Sequence, residues 1–390
     1  MLYTPELFEP LTDERWDAER AAQRIREIVA DTDEAMRGPK LLWRADAWDG
    51  WHGTSPMKNL YVGAAGVLWG LERLRTRGHA ETQLDLADLA LRNVELFRTR
   101  PDFMKGMKLP PERESSLACG EAGILLVAWQ LTRDAKLADD LYERVQANVD
   151  NEVEEVMWGA PGTLLAAHSM WKATGDKRWH DARDRTAAAL VARRDGDGFW
   201  VQRMYGQEFR GLQPWHGIVG NVAALRVAEN NGTVLHETAS VLERTAVIED
   251  GFANWPYRAR PQLASPDGLI RMQFCCGAPG MVATASDYLD EELLLAGAEL
   301  AWNAGAAGME KGPCLCHGTA GTGYAFLKVF LRTGDERWLE RARRFAMHAL
   351  DQVERRGHGR YSLFTGDIGV ALFVADCLDE RAEIPVFDVL

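Results

Sequence analysis

The chain has 390 residues, 46% of them hydrophobic, with 45 Lys and Arg against 58 Asp and Glu and a formal net charge of −13. That composition supplies a sizeable core, and a diffuse acidic surface without a basic run or an aromatic–basic stripe excludes nucleic acid and an anionic membrane as main partners. The opening residues, MLYTPELFEPLTDERWDAER, are acidic and broken by prolines, unlike a secretory signal, and no apolar run approaches the roughly 18–20 residues of a membrane span. A cytoplasmic location is expected.

In chain order, the first element is an amphipathic helix over AERAAQRIREIVADTDEAMR, apolar on one stripe and charged elsewhere. A tryptophan-rich stretch follows, with Trp43, Trp48 and Trp51-His52. It reads as a loop packed over a rim, or as the lining of a substrate groove. From residue 61 onward a phrase recurs: Gly-x-x-Gly opening a nearly uncharged apolar run. It stands at Gly63–Gly66, Gly120–Gly123, Gly159–Gly162, Gly217–Gly220, Gly277–Gly280, Gly318–Gly321 and Gly366–Gly369. The physical reading is a tight turn feeding a buried helix. Glycine there tolerates positive φ and close backbone approach, and the first-turn N–H groups point into the space that the turns surround.

Between the phrases lie charged, 3.6-periodic segments, among them TQLDLADLALRNVELFRTR, AKLADDLYERVQANVDNEV, KRWHDARDRTAAALVARR and ERWLERARRFAMHALDQVERR. Outer helix, loop, Gly-x-x-Gly and inner helix thus alternate seven times. The fold class is all-α, an (α/α) toroid of seven inner and seven outer helices with the glycine turns at one end. An open solenoid is the alternative. Strands are expected only as short loop pairs, for example around Gly196–Tyr205. Length alone suggests two or three domains, but a repeat architecture overrides that prior. The expected organisation is one domain over 1–390, with an outer helix and the Trp-rich loop in 1–60 and the repeat core in 61–380.

Six cysteines, four of them between Cys275 and Cys316, are not a disulfide framework; in a reducing compartment such a cluster points to metal or catalysis. Two glycine turns carry them: Phe274-Cys275-Cys276-Gly277 and Cys314-Leu315-Cys316-His317-Gly318. Thiolate and imidazole donors suit zinc, and three protein ligands leave a fourth position open, as in catalytic sites. Spacing alone leaves open which cysteine of each pair binds. Cys119 and Cys377 read as buried small hydrophobes.

The stretch Ala253-Asn254-Trp255-Pro256, then Arg271-Met-Gln-Phe-Cys275-Cys276-Gly-Ala-Pro-Gly280, then Cys316-His317-Gly318-Thr-Ala-Gly321, resembles the lanthionine-cyclase (LanC-like) family, as does the Trp215-His216-Gly217 turn. The resemblance covers roughly residues 60–380. It implies a double seven-helix barrel with zinc on Cys275, Cys316 and His317. It also implies addition of a thiol, either a peptide cysteine or glutathione, to dehydroalanine or dehydrobutyrine in a peptide or protein, forming a thioether. By the same resemblance His216 is the catalytic histidine, and Arg271 stabilises the enolate or holds a substrate carboxylate.

The family's peptide cyclases carry an Asp four residues before the first glycine of the second turn, where this chain has Ser116. That difference, and the ending SLFTGDIGVALFVADCL before Ile384-Pro-Val-Phe-Asp, leans toward the glutathione-using branch. Arg203, Arg210, Arg258 and Arg260 are candidates for glutathione carboxylates or for ordinary solvation. The competing readings are a non-catalytic zinc protein that binds glutathione or a protein partner and, more weakly, another α/α-toroid enzyme.

Overall fold

Aspartate caps and glycine turns divide the helices into two sets. In this computed structural model residues 2–36, 42–49, 56–102, 113–228, 232–259 and 269–390 are described. Seven outer helices are α1 (Ala18–Ala35), α3 (Leu86–Thr99), α5 (Ala135–Asn148), α7 (Lys177–Ala192), α9 (Gly232–Thr245), α11 (Glu291–Ala304) and α13 (Glu336–Arg356). Alternating with them are the inner helices α2 (Ala64–Thr76), α4 (Glu121–Thr132), α6 (Ala160–Thr174), α8 (Ile218–Leu225), α10 (Ala278–Ala285), α12 (Thr319–Thr333) and α14 (Asp367–Asp379).

The outer helices α1, α3, α5, α7, α11 and α13 begin on Asp17, Asp85, Asp134, Asp176, Asp290 and Asp335. Each of these carboxylates accepts backbone N–H bonds from the first turn. Every inner helix begins on the first glycine of a phrase, which has no side chain of its own to cap the first turn.

Each inner helix packs on the next, α2 on α4 and so on to α14, which returns to α2; α1 packs on α14 and α13. The ring is therefore closed, and the toroid expected from the repeats is the fold. Inner helices are buried almost all round, for instance Ala64–Leu71 and Ile368–Cys377. Connections at the two ends differ. From α6 to α7 and from α12 to α13 the chain turns on Gly175 and Gly334, at φ +66° and +69°, straight onto the Asp cap; Arg133 makes the same left-handed turn at φ +60°. At the other end long loops run from outer to inner helices and finish in the glycine turns.

The glycines serve a steric purpose more than a conformational one. A Cβ on the second glycine of each phrase would stand 1.8–2.2 Å from the carbonyl oxygen six residues earlier, from Leu60 against Gly66 to Leu363 against Gly369. Of the first glycines, only Gly277 has positive φ, +110°. The expectation that first-turn N–H groups face the enclosed space is corrected. They are consumed by the incoming loop, seven residues back: Ala64 to Met57 at 3.0 Å, Ile218 to Gly211 at 3.0 Å, Thr319 to Gly312 at 3.1 Å and Asp367 to Arg360 at 2.8 Å. Buried donors must be paired, and the loop backbone is the nearest acceptor.

Strands are short pairs, as expected, but placed differently. β1 (Phe8–Glu9) pairs with β6 (Ala306–Ala307). The hairpin β2 (Gln202–Met204) with β3 (Gln207–Phe209) turns at Tyr205-Gly206, the far edge of the window read from sequence. A second hairpin, β4 (Val247–Glu249) with β5 (Phe252–Asn254), turns at Asp250-Gly251. Both central residues of each hairpin turn have positive φ, and Asp-Gly is the strongest short-range hairpin signal.

If close approach is what the second glycines provide, Gly162→Ala should cost about 1–3 kcal/mol or more through forced backbone displacement. Gly196→Ala, with nothing within 4 Å of the added carbon, should be neutral or up to about 1 kcal/mol stabilising. Urea unfolding of the two variants checks this.

Candidate active site

Six of the seven turns are stitched into an arc by backbone bonds at the residue two positions before each first glycine. Tyr61 N–H donates to Ala118 O (3.0 Å), Ala118 to Met157 (3.4 Å), Phe364 to Tyr61 (3.1 Å), Cys316 to Phe364 (2.8 Å) and Cys275 to Cys316 (3.0 Å). Cys275 and Cys316 therefore occupy equivalent places on adjacent turns, facing the bore. Their Sγ atoms and a ring nitrogen of His317 lie within 4.8 Å of one another. Cys276 and Cys314 fall outside this cluster.

The three donors are electrically poised. A hydrogen bond from Cys316 and the neighbouring His317 charge hold the Cys275 thiol well below its ordinary pKa, against burial. Burial, then the Cys275 charge, pushes Cys316 well above. Burial disfavours charge on His317, but Cys275 outweighs it and raises the ring to about 10. A pair of soft sulfur donors, one buried and one half-buried, with an imidazole is chemistry that fits zinc. The Tyr61 hydroxyl donates to Cys316 Sγ at 2.7 Å. Trp48 packs edge-on to His317 at 5.7 Å and donates its indole N–H to Glu310 O. Part of the tryptophan loop thus covers the site; Trp51 and His52 lie outside the described residues.

The turn with Cys275 is shaped by Asn254. Its Oδ1 accepts the N–H groups of Trp255 (2.8 Å) and Ala278 (2.6 Å), and its amide donates to Leu2 O and Arg271 O. The Asn-Trp-Pro motif is thereby explained as a cap for α10.

His216 stands on the neighbouring wall, 19% exposed, with Nδ1 2.6 Å from Glu155 Oε2; Glu155 is fully buried. The same carboxylate accepts the N–H of Trp158 at 2.5 Å and of Met157 at 3.2 Å. Here the reading from Ser116 is corrected. The site has a carboxylate, but it comes from the third turn: Glu155 lies four residues before Gly159, as Ser116 lies four before Gly120. Ser116 itself is fully buried.

Cys275, Cys316, His317, His216 and Arg271 line one cavity of about 440 Å³, with Tyr61, Tyr205, Tyr257, Arg258 and Lys311. Of the other arginines read from sequence, Arg203 pairs with Glu208 and Arg210 with Asp195 and Asp197; Arg260 lies outside the described residues. Arg258 donates to Gln207 at 2.6 Å and sits over the Phe209 ring.

With this geometry in hand, comparison with known proteins gives a consistent result. The family model described as lanthionine synthetase C-like protein matches residues 54–389. The chain belongs to the lanthionine synthetase C-like family. Nisin cyclase has the same fold, with a TM-score of 0.62 at 16% identity over 92% of this chain and 94% of that one. Among curated relatives, "Glutathione S-transferase LANCL1" of Danio rerio is 33% identical over 133 residues, 31% of this chain and 32% of the relative. That match therefore spans about a third of the relative's length. Within this lanthionine synthetase C-like chain, no helix among the described residues is long and apolar enough to cross a membrane.

Metal analysis of purified variants tests the donor set. Cys275→Ala, Cys316→Ala and His317→Ala should each lose bound zinc, while Cys276→Ala and Cys314→Ala should retain one ion per chain.

Proposed function

We propose that this protein holds one zinc ion on Cys275, Cys316 and His317 and adds a thiol to dehydroalanine or dehydrobutyrine in a peptide or protein, forming a thioether. The observation that carries the reading is the convergence, in one cavity, of a three-donor soft-metal cluster with a histidine backed by a buried carboxylate. Three protein donors leave the fourth position for substrate, and the chemistry such an ion supplies is a thiol deprotonated at neutral pH.

The remaining steps fall to the chain's own side chains. The new C–S bond forms at the β-carbon as the C=C π pair moves to the α-carbon, leaving an enolate. Arg271 on the cavity wall offers it a positive charge. The α-carbon then takes a proton. His216 carries it on Nε2, because Glu155 holds Nδ1 and fixes the ring. Tyr61 orients the Cys316 sulfur through its hydroxyl.

The thiol we favour is glutathione. Ser116 no longer argues for it, since Glu155 supplies a carboxylate. The support is the cavity wall, where Arg258, Arg271 and Lys311 are among the described lining residues and none of those described is Asp or Glu, in a chain of net charge −13. A tripeptide thiol with two carboxylates matches that wall. The peptide cyclisation reaction uses the same donors with an internal cysteine. Cytoplasmic work on a partner peptide or protein fits a reduced thiol cluster.

Mass spectrometry of a dehydroalanine peptide incubated with glutathione, or carrying its own cysteine, reads the reaction against an enzyme-free control. Wild type should accelerate addition, His216→Ala should bind zinc normally and lose about 10²–10⁴ in rate, and Glu155→Gln should lose less. No acceleration with either thiol replaces this reading by that of a zinc-containing binding protein.

A further inference from the structure

The segment after α14 turns back into the bore from the end opposite the glycine turns. Its anchors span the inner ring. Glu383 pairs with Arg73 of α2. The Glu383 N–H donates to Asp376 of α14 at 2.8 Å, and Asp376 is itself paired with Arg77. Lys328 of α12 holds Asp388 at 2.8 Å, and Ser169 of α6 donates to Leu390 O at 3.2 Å. Ile384 N–H and Val386 N–H close the turn onto Asp388 Oδ2 and Val389 O.

Inside this turn Val386 has φ +73°. A β-branched residue is a true outlier there and persists only where its surroundings over-determine it. Both Val386 and Phe387 are buried, at 2% and 7% exposure.

The strained turn delivers the Phe387 ring to two places that matter. It lies edge-on to Trp215 at 4.9 Å and to Phe274 at 5.5 Å. Trp215 directly precedes His216, and Phe274 directly precedes Cys275. Trp215 in turn packs on Tyr61 at 5.4 Å and on Phe364 at 4.8 Å, and Tyr61 bonds the Cys316 sulfur. Phe387 also divides the bore, for it lines a second cavity of about 450 Å³ at the far end, while Trp215 lines the one that holds the metal donors.

Trp215 makes none of the turn-to-turn bonds described above. Backbone bonds join its loop to the Cys275 loop farther back, Leu212 N–H to Tyr257 O at 3.4 Å and Ala259 N–H to Arg210 O at 3.0 Å, whereas at Trp215 and Phe274 themselves the contact is through the Phe387 ring. We propose that Phe387 is a positioning residue for the metal centre: wedged between Phe274 and Trp215, it sets the separation between Cys275 and His216. The proposal rests on the metal and proton-transfer reading above and assigns it a residue on the opposite side of the ring from the turns.

The test compares Phe387→Ala, Phe387→Leu and Phe387→Tyr with Phe345→Leu in the full chain. Phe345 is fully buried among Trp302 and Phe326 on α13, away from the bore, and controls for loss of packing alone. Cobalt loaded in place of zinc reads the donor geometry by its visible absorption, without reference to activity. Phe387→Ala and Phe387→Leu should alter that absorption and lower kcat about 10- to 100-fold with little change in KM. Phe387→Tyr should retain most of both properties. Phe345→Leu should lower Tm and leave absorption and kcat intact.

Phe387→Leu with a lowered Tm but wild-type absorption and kcat makes Phe387 a mere core filler and overturns the proposal. Should Phe387→Ala not fold, the Leu and Tyr variants decide. A wild type that loads cobalt on its thiolates yet accelerates no addition sinks the enzymatic reading, while the absorption comparison still decides the role of Phe387. A wild type that takes up no cobalt removes both.

Discussion

The architecture depends on one close approach: an inner helix whose third residue after the cap presses its bare Cα against a carbonyl six positions back. No side chain fits there. The approach forces each loop to double under its helix, and the loop's own carbonyls then take the helix's first N–H groups. It also leaves the residue two positions before the cap facing the bore. Repeated around a closed ring, that geometry brings seven side chains into one layer, and two of them are the sulfurs of Cys275 and Cys316. The site is thus a by-product of how the ring is closed, specialised by what each turn carries at that one position.

Electrostatics divides the molecule between its surface and its bore. The surface carries the excess of carboxylates. Inside, charge is met by partners, as in the buried Lys58–Asp102 pair at 2.6 Å. The same Asp102 accepts the N–H groups of Lys58 and Asn59 at 2.6 and 2.9 Å, which shapes the turn that carries Tyr61. Burial raises the Asp102 carboxyl, and Lys58 opposes that rise. Breaking such a pair on one side leaves an uncompensated buried charge. The first turn is therefore rigid for an ionic reason, whereas the third is rigid because Glu155 caps its own backbone while holding His216.

The sequence made the periodic features legible. Glycine spacing marks every inner helix, amphipathic runs mark α1, α3, α5, α7 and α13, and the Cys-His turn stands out chemically. Glu155 was hidden because NEVEEVM looks like any solvated acidic stretch. Its signal was positional: it holds, one turn later, the place examined at Ser116. That Cys275 rather than Cys276 clusters with Cys316 and His317 needed three dimensions, since both cysteines line the same cavity. Asp250-Gly251 was a readable hairpin signal within a loop that the helical repeat made easy to pass over.

Helix α1 packs against α14, so the first helix and the last are mutual partners across nearly the whole length of the chain. On a ribosome adding about 5–20 residues per second, the apolar stripe of Ile25, Ile28 and Val29 waits on the order of tens of seconds for the surface that covers it. During synthesis that stripe lacks its main neighbours, α13 and α14, until the end of the chain emerges. A closed ring with no spare edge in its finished form is, while being made, a chain with two sticky ends, and its yield in the cell depends on whatever shields the first until the second emerges.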